Sequence, residues 1–317
     1  MQNSVTSVVI KLTMNKYLIS IIGPTGIGKT NLSLKLASYF NTEIISADSR
    51  QFYKEIPIGT AAPTTAELDL LKHHFIHHKS IKDRYSVGAF EKEANSQIEQ
   101  SHLLNPVVIM VGGSGLYVDA VLKGFDEFPE VNSEIRSQLN QELATHGIEV
   151  LQKELKRLDP LSYDNIALKN PHRLIRALEI CKGTEKPYSS FLKKKHTQRN
   201  FKTISIGLKA DRSLIYERIN NRVDQMIKNG LLEEAKSVFK YKNLNALNTV
   251  GYKELFNYFE EQWTLDFAIS EIKKNTRKFA KRQLTWFQKD KNAKWFEYDT
   301  DPKKIISYLN TELKKTS

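Results

Sequence analysis

Residues 21–30 read Ile-Ile-Gly-Pro-Thr-Gly-Ile-Gly-Lys-Thr, and few ten-residue stretches restrict a fold as strongly. The spacing G-x-x-x-x-G-K-T is that of a phosphate-binding loop. It follows a short apolar run, 16–22, and precedes apolar residues at Leu32, Leu34, Leu36, Ala37 and Phe40. Strand, glycine loop and helix are the context in which such a loop works. Its glycines let backbone N–H groups face an anion, and the helix N-terminus adds a favourable dipole. Gly23, Pro24, Thr25, Gly26, Ile27, Gly28, Lys29 and Thr30 are therefore the candidate phosphate cradle. Lys29 would neutralise the distal phosphates and Thr30 would offer a hydroxyl to Mg2+. By motif alone the ligand is ATP or GTP, but a pyrophosphate on another carrier fits equally well.

Around this loop the pattern alternates. Residues 42–47 read as a second strand ending at Asp48, a polar helix spans about 89–103, and 106–111 is an apolar strand running into Gly112-Gly113-Ser114-Gly115. Alternation of this kind predicts an α/β fold with a parallel sheet covered by helices on both faces. From about 126 to 195 the chain turns helical and charged, with prolines at 129, 160, 171 and 187; one more β pattern follows at 201–208. The expected organisation is an N-terminal extension (1–15), a P-loop-like core in two pieces (16–125 and 200–300), an inserted helical domain (126–199), and a tail (301–317) whose last dozen residues are expected to fray.

A net charge of +12 points either to an ordinary Lys-rich surface or to a polyanionic partner such as nucleic acid. The single cysteine, Cys181, excludes an intramolecular disulfide framework and lies in an apolar helical pattern, which suits a small core residue. The segment up to Lys16 lacks arginine, makes a poor signal peptide and leaves Met14 as a possible start. The expectation is a cytoplasmic protein and, with no oligomer feature apparent, a monomer.

A P-loop ATPase usually carries an acid at the end of a later apolar strand to help hold Mg2+. Here the corresponding run, "VVIMVGGSG", ends in glycines and a serine, and the acid lies instead at Asp48. That argues against nucleotide hydrolysis. Asp-Ser pairs also serve as turns and caps, so the residues alone leave Asp48 open between turn and catalyst.

"ADSRQFYKEIPIGTAAPT" (47–64), "VGGSGLY" (111–117), "NPHRLIRALEI" (170–180) and "AKRQLTWF" (280–287) stand in this order behind G-P-T-x-x-G-K-T. Together they resemble the bacterial tRNA dimethylallyltransferases over roughly residues 16–295. The resemblance implies transfer of a dimethylallyl group from dimethylallyl diphosphate to N6 of the adenine 3′ of the anticodon, in tRNAs reading codons that begin with U. It implies Asp48 as the base near N6, and Thr25 and Arg222 beside the diphosphate, with Mg2+ assisting. Asp48, Ser49, Arg50 and Gln51 would line the pocket of a flipped adenine. Ser114, Arg136, the run His172, Arg173, Leu174, Ile175 and Arg176, and the segment 249–253 with Gly251, Tyr252 and Lys253 would meet the tRNA anticodon stem-loop. Two positions depart from the family pattern: Ala62 replaces a common lysine, and Ser114 a threonine.

Residues 273–287 form a further candidate. Lys274, Arg277, Lys278 and Lys281 would share one helical face against phosphates, and Ile272, Thr276, Phe279 and Phe287 another, with Trp286 and Phe287 in the core. The charged insertion, with Lys153–Arg157 and Lys193–Lys195, suits a nucleic-acid backbone or a solvated surface. The histidines at 73, 74, 77 and 78 have helical i, i+4 spacing, but no Cys or well-placed carboxylate completes a metal site. The competing functions are a P-loop small-molecule kinase, an adenylate isopentenyltransferase acting on free AMP, ADP or ATP, and a non-catalytic RNA-binding protein.

Overall fold

The computed structural model describes residues 15–192 and 198–315; Met14 and Lys193–Lys195 lie outside them. The chain divides into two compact units, one formed by the segments up to Lys123 and from Gln198 onward, the other beginning at Gly124.

The larger unit is built on six strands in the order β3-β2-β4-β1-β5-β6, all pairs parallel. In chain order these are β1 (Tyr17–Ile22), β2 (Ile44–Ser46), β3 (His73–His74), β4 (Val107–Val111), β5 (Lys202–Lys209) and β6 (Lys294–Glu297). Helices α1 (Lys29–Phe40), α2 (Thr65–Leu70), α3 (Val87–Leu104) and α4 (Gly115–Lys123) connect the first strands. Strand β1 is buried at every position, as a central parallel strand covered on both faces must be. One face packs Ile19, Ile21, Ile44 and Ile109 under α1; the other packs Leu18, Ile45, Val108 and Met110 against Phe90, Ala94 and Ile98 of α3. Because β4 sits between β1 and β2, three loops leave the carboxyl edge side by side: Gly23–Gly28, the turn at Asp48, and Gly112–Ser114. An open parallel sheet binds its ligands at such a place.

The smaller unit holds α5 (Ser133–His146), α6 (Ile148–Leu158), α7 (Pro160–Asn165) and α8 (Pro171–Thr184), with no strand among its described residues. Its core includes Leu139, Leu151, Leu155, Leu174, Ile175, Leu178 and Cys181. Asn132, Asp159 and Asn170 cap α5, α7 and α8, and Pro160 and Pro171 occupy first-turn positions where the missing N–H is harmless. The chain changes units at Lys123/Gly124 and Thr197/Gln198, against expected breaks at 125/126 and 199/200.

After β5 come α9 (Arg212–Lys228), α10 (Leu231–Val238), α11 (Tyr252–Phe259), α12 (Leu265–Phe287) and α13 (Pro302–Lys315). The sequence reading differs from the structure at three places. Strand β6 was not foreseen, because four residues with half-buried Trp295 and Phe296 carry no alternation long enough to see. The expected frayed tail is a helix through Lys315, held by Ile305 and Leu309, which are 1% and 0% exposed. The histidine run is a two-residue strand and a loop rather than a helix. His73 and His77 are therefore not paired by helical spacing, and no metal cluster occurs among the described residues. None of the described helices is long and apolar enough to cross a membrane.

Candidate active site

The phosphate loop takes the shape its glycines permit. Gly23, Gly26 and Gly28 have φ of 143°, 80° and 108°, a region that residues with a Cβ rarely adopt. Helix α1 starts with no side-chain cap and no acid in its first turn, so its N–H groups remain open to an anion. Lys29 Nζ donates to the Pro24 carbonyl at 2.8 Å. Burial pushes the Lys29 pKa down to about 8, against a raising effect from Asp48 and a smaller lowering one from Arg222.

Asp48 leaves the end of β2. Its Oδ1 accepts the Arg50 N–H at 3.1 Å, and Ala47 N–H bonds to the Val111 carbonyl at 2.8 Å, so the turn is fixed against the neighbouring strand. Helix α9 supplies two arginines one turn apart. Arg222 donates Nη1 to Thr25 Oγ1 at 3.3 Å and Nη2 to the Ala61 carbonyl at 3.2 Å. Arg218 donates Nε to the Gly26 carbonyl at 2.7 Å. Burial lowers the Arg222 pKa, which Asp48 and then Glu67 counteract.

These groups line two adjoining cavities in the larger unit. The first, about 550 Å³, is walled by Thr25, Lys29, Thr30, Asp48, Gln51, Arg218 and Arg222. The second, about 620 Å³, is lined by Ser49, Arg50, Ser114, Gly251 and Lys253 together with apolar Ile219, Val223, Met226, Leu231 and Phe279. Thr25, Asp48, Thr60, Ala61, Gly113, Arg222 and Gln283 line both. A charged, cation-lined chamber thus opens into a more apolar one, with a carboxylate at the join.

Several expected tRNA contacts do other work. Tyr252 is 0% exposed, and its hydroxyl donates to Glu234 Oε1 at 2.5 Å. Leu174 and Ile175 are buried in the core of the smaller unit, because an amphipathic helix must turn one face inward. On that helix His172 and Arg173 are exposed, while Arg136 and Arg176 both reach Glu179 Oε2, at 3.3 and 3.0 Å. Arg50 donates to the carbonyls of Asn245 and Ala246 at 2.9 and 3.0 Å, an anchor more than an open contact. Ser114 Oγ accepts the Ser49 N–H at 3.0 Å.

On α12, Lys274 pairs with Glu271 at 2.7 Å and Arg277 donates to Asn220 Oδ1 at 2.7 Å, while Lys281 is exposed. Phe279 lines the second cavity; Phe287 is in the core as expected, whereas Trp286 is half-buried, lines the same cavity and donates its indole N–H to Asp119 at 2.8 Å.

The sequence reading missed Gln283, which is 5% exposed and bridges two loops. Its Oε1 accepts the Thr25 N–H at 2.8 Å, and its Nε2 donates to the Gly113 carbonyl at 2.8 Å. It lies within "AKRQLTWF", so the motif itself was the signal. Arg218 was also missed, although its i, i+4 relation to Arg222 places both on one helical face.

With the geometry in place, comparison with known proteins is decisive. A family model described as IPP transferase matches residues 51–290, well over half the chain. The chain belongs to the IPP transferase family. Among relatives in this family, a tRNA dimethylallyltransferase of Christiangramia forsetii is 59% identical over 300 residues, covering 95% of this chain and 99% of the relative. One from Flavobacterium johnsoniae is 56% identical over 307 residues, covering 95% and 99%. The crystal structure of a full-length tRNA isopentenylpyrophosphate transferase from Bacillus halodurans superposes with a TM-score of 0.71 at 36% identity, covering 95% of this chain and 97% of that one. A eukaryotic dimethylallyltransferase acting on tRNA superposes with a TM-score of 0.75 at 27% identity, covering 90% and 74%. The IPP transferase model begins after the phosphate loop and Asp48, whereas the full-length relatives in the family include the region that carries them.

Proposed function

We propose that this chain transfers the dimethylallyl group of dimethylallyl diphosphate to N6 of the adenosine immediately 3′ of the anticodon, in tRNAs that read codons starting with U. The observation that carries this reading is the shared wall of the two cavities, where Thr25, Asp48 and Arg222 face both chambers. The diphosphate fits the side walled by Lys29, Arg218 and the glycine loop. The apolar group and the extruded adenine fit the side lined by Val223, Met226 and Phe279.

In the transfer, the C1–oxygen bond of the allylic diphosphate breaks and the C1–N6 bond forms, while one N6 proton passes to the Asp48 carboxylate. The charge that develops on the leaving diphosphate is met by loop N–H groups, Lys29 and Arg222, which are already in place and need no reorganisation. Thr25 Oγ1, held by Arg222, stands beside the bridging oxygen.

Mg2+ fits the donors present. Thr30 would offer a hard hydroxyl oxygen on the wall of the first cavity, and no group of three or more His, Cys, Asp or Glu forms a protein cage among the described residues. That is the usual situation for an ion held by one or two side chains and substrate phosphates. Bound there, it would neutralise phosphate charge.

The test is to incubate the protein with unmodified tRNA, dimethylallyl diphosphate and Mg2+ without ATP, then to weigh the nucleosides of the digested tRNA. A dimethylallyl adenosine at the position 3′ of the anticodon is expected. Absence of that product would overturn it, as would, in parallel assays, prenylation of free AMP in preference to tRNA or phosphorylation of a metabolite by added ATP.

A further inference from the structure

Tyr252 and Glu234 are partners that the transfer chemistry does not use. Tyr252 opens α11 and is wholly buried. The two oxygens of Glu234 accept three donors: Ile58 N–H at 2.8 Å, Gly59 N–H at 2.8 Å and the Tyr252 hydroxyl at 2.5 Å. A carboxylate so surrounded is an anchor. Gly59 must lack a side chain here, since a Cβ would lie 2.4 Å from the Tyr252 hydroxyl oxygen.

The anchored segment is a closed turn. Ala61 N–H bonds to the Ile58 carbonyl at 2.9 Å, Ala62 N–H to the Pro57 carbonyl at 3.1 Å, and Thr60 Oγ1 to the Ile56 carbonyl at 2.8 Å. At its tip Ala61 has φ of 48°, a conformation that persists in a residue with a Cβ only when its surroundings enforce it. The Ala61 carbonyl then receives Gln51 Nε2 at 3.1 Å and Arg222 Nη2 at 3.2 Å. Arg222 places its other terminal nitrogen on Thr25. An unbroken series of hydrogen bonds runs from a buried phenol to the guanidinium in the phosphate chamber.

We propose that Tyr252 and Glu234 form a brace that holds the Ile58–Ala62 turn and through it aims Arg222 at the diphosphate, so that Tyr252 is a positioning residue and not an RNA contact. This rests on the reading of the cleft as a diphosphate site. It also accounts for a motif, "TVGYK", whose tyrosine is inaccessible to a macromolecule. Lys253, the next residue, is exposed and remains available to tRNA.

The test uses the full chain and separates the two ligands. Tyr252→Phe keeps the ring and removes only the hydroxyl. Inorganic pyrophosphate with Mg2+ is titrated by calorimetry, tRNA binding is measured without any prenyl diphosphate, and KM and kcat follow with both substrates. Loss of one hydrogen bond to a charged group predicts about tenfold weaker pyrophosphate binding and a raised KM for dimethylallyl diphosphate, with tRNA affinity within about twofold of the parent. Gly59→Ala, which pushes on the same contact from the other side, is expected to shift pyrophosphate binding likewise. Weakened tRNA binding with unchanged pyrophosphate binding would overturn the proposal, as would no change in either. A parent protein that binds no pyrophosphate would overturn the diphosphate reading of the cleft itself, an outcome distinct from a variant that matches a binding-competent parent.

Discussion

The phosphate chamber has two walls made in opposite ways. One, Gly23–Thr30, is a contiguous segment whose conformation follows from its own glycines and from the strand and helix at its ends. The other, Ile58–Ala62, has no such autonomy. It depends on Glu234 and Tyr252, about 175 to 195 positions away, and on Arg222 from a third element. A self-made wall can be recognised from spacing alone. A wall held from outside is visible only once the chain has folded, because nothing within its five residues encodes the left-handed Ala61.

The largest expected effect lies at the join between the two chambers. Asp48→Asn should lower kcat by about a thousandfold if its carboxylate takes the N6 proton, with tRNA and pyrophosphate affinity kept. Single-turnover rates against binding would show this, and an intact rate would remove Asp48 from the chemistry.

On the self-made wall, Lys29→Met should cost about a hundredfold in kcat/KM for the prenyl diphosphate. Its melting temperature should not fall, because a cation kept at the expense of its solvation is being removed. A lower Tm would mean that the lysine holds the loop rather than the ligand.

The bridge between loops comes next. Gln283→Leu preserves bulk but frees Thr25 N–H and the Gly113 carbonyl, and about tenfold in kcat is expected from two lost bonds to a loop that remains otherwise formed. Gln283→Glu restores only the acceptor, so it should recover the Thr25 contact and part of the rate.

pH sharpens the comparison further. On the proposed reading, Lys29, with a pKa lowered to about 8 by burial, meets the diphosphate in its protonated form. That form dominates below about 8, and affinity for pyrophosphate is lost as pH rises through that value, well before an ordinary lysine would titrate. In Lys29→Met this alkaline decline should vanish.

The smallest effect is expected at Lys274, whose ammonium is occupied by Glu271 in an exposed pair worth well under about 1 kcal/mol. Lys274→Ala should change tRNA affinity by less than about twofold, measured at moderate salt, whereas Lys281→Ala should reduce the salt dependence of binding. A large effect at Lys274 would restore it as a phosphate contact.

Much of the fold was legible because its signals are local. Strands β1 and β4 are continuous apolar runs, α1 carries its own periodicity, and the prolines at 160 and 171 mark helix starts in the smaller unit. What escaped was either too short to show a period, as with β6 and β3, or dependent on a distant surface. Helix α13 is amphipathic, but only the side of the sheet that receives Ile305 and Leu309 makes it a helix worth keeping. The same division runs through the cleft. Lys29, Thr30 and Asp48 announce themselves by spacing and by their place at strand ends. Gln283 and Arg218 matter because of what they reach.

By itself, then, the sequence determined a P-loop-like α/β core with a helical insertion, since glycine geometry and hydrophobic period are properties of neighbouring residues. The tertiary structure alone decided which members of each motif face the cleft. Tyr252, Leu174 and Ile175 stand inside motifs yet are buried, while Gln283 and Arg222 cross from separate helices to the phosphate loop. The physical reason is that a side chain's role depends on the partner its polar atoms meet, and those partners lie beyond the range over which sequence pattern carries information.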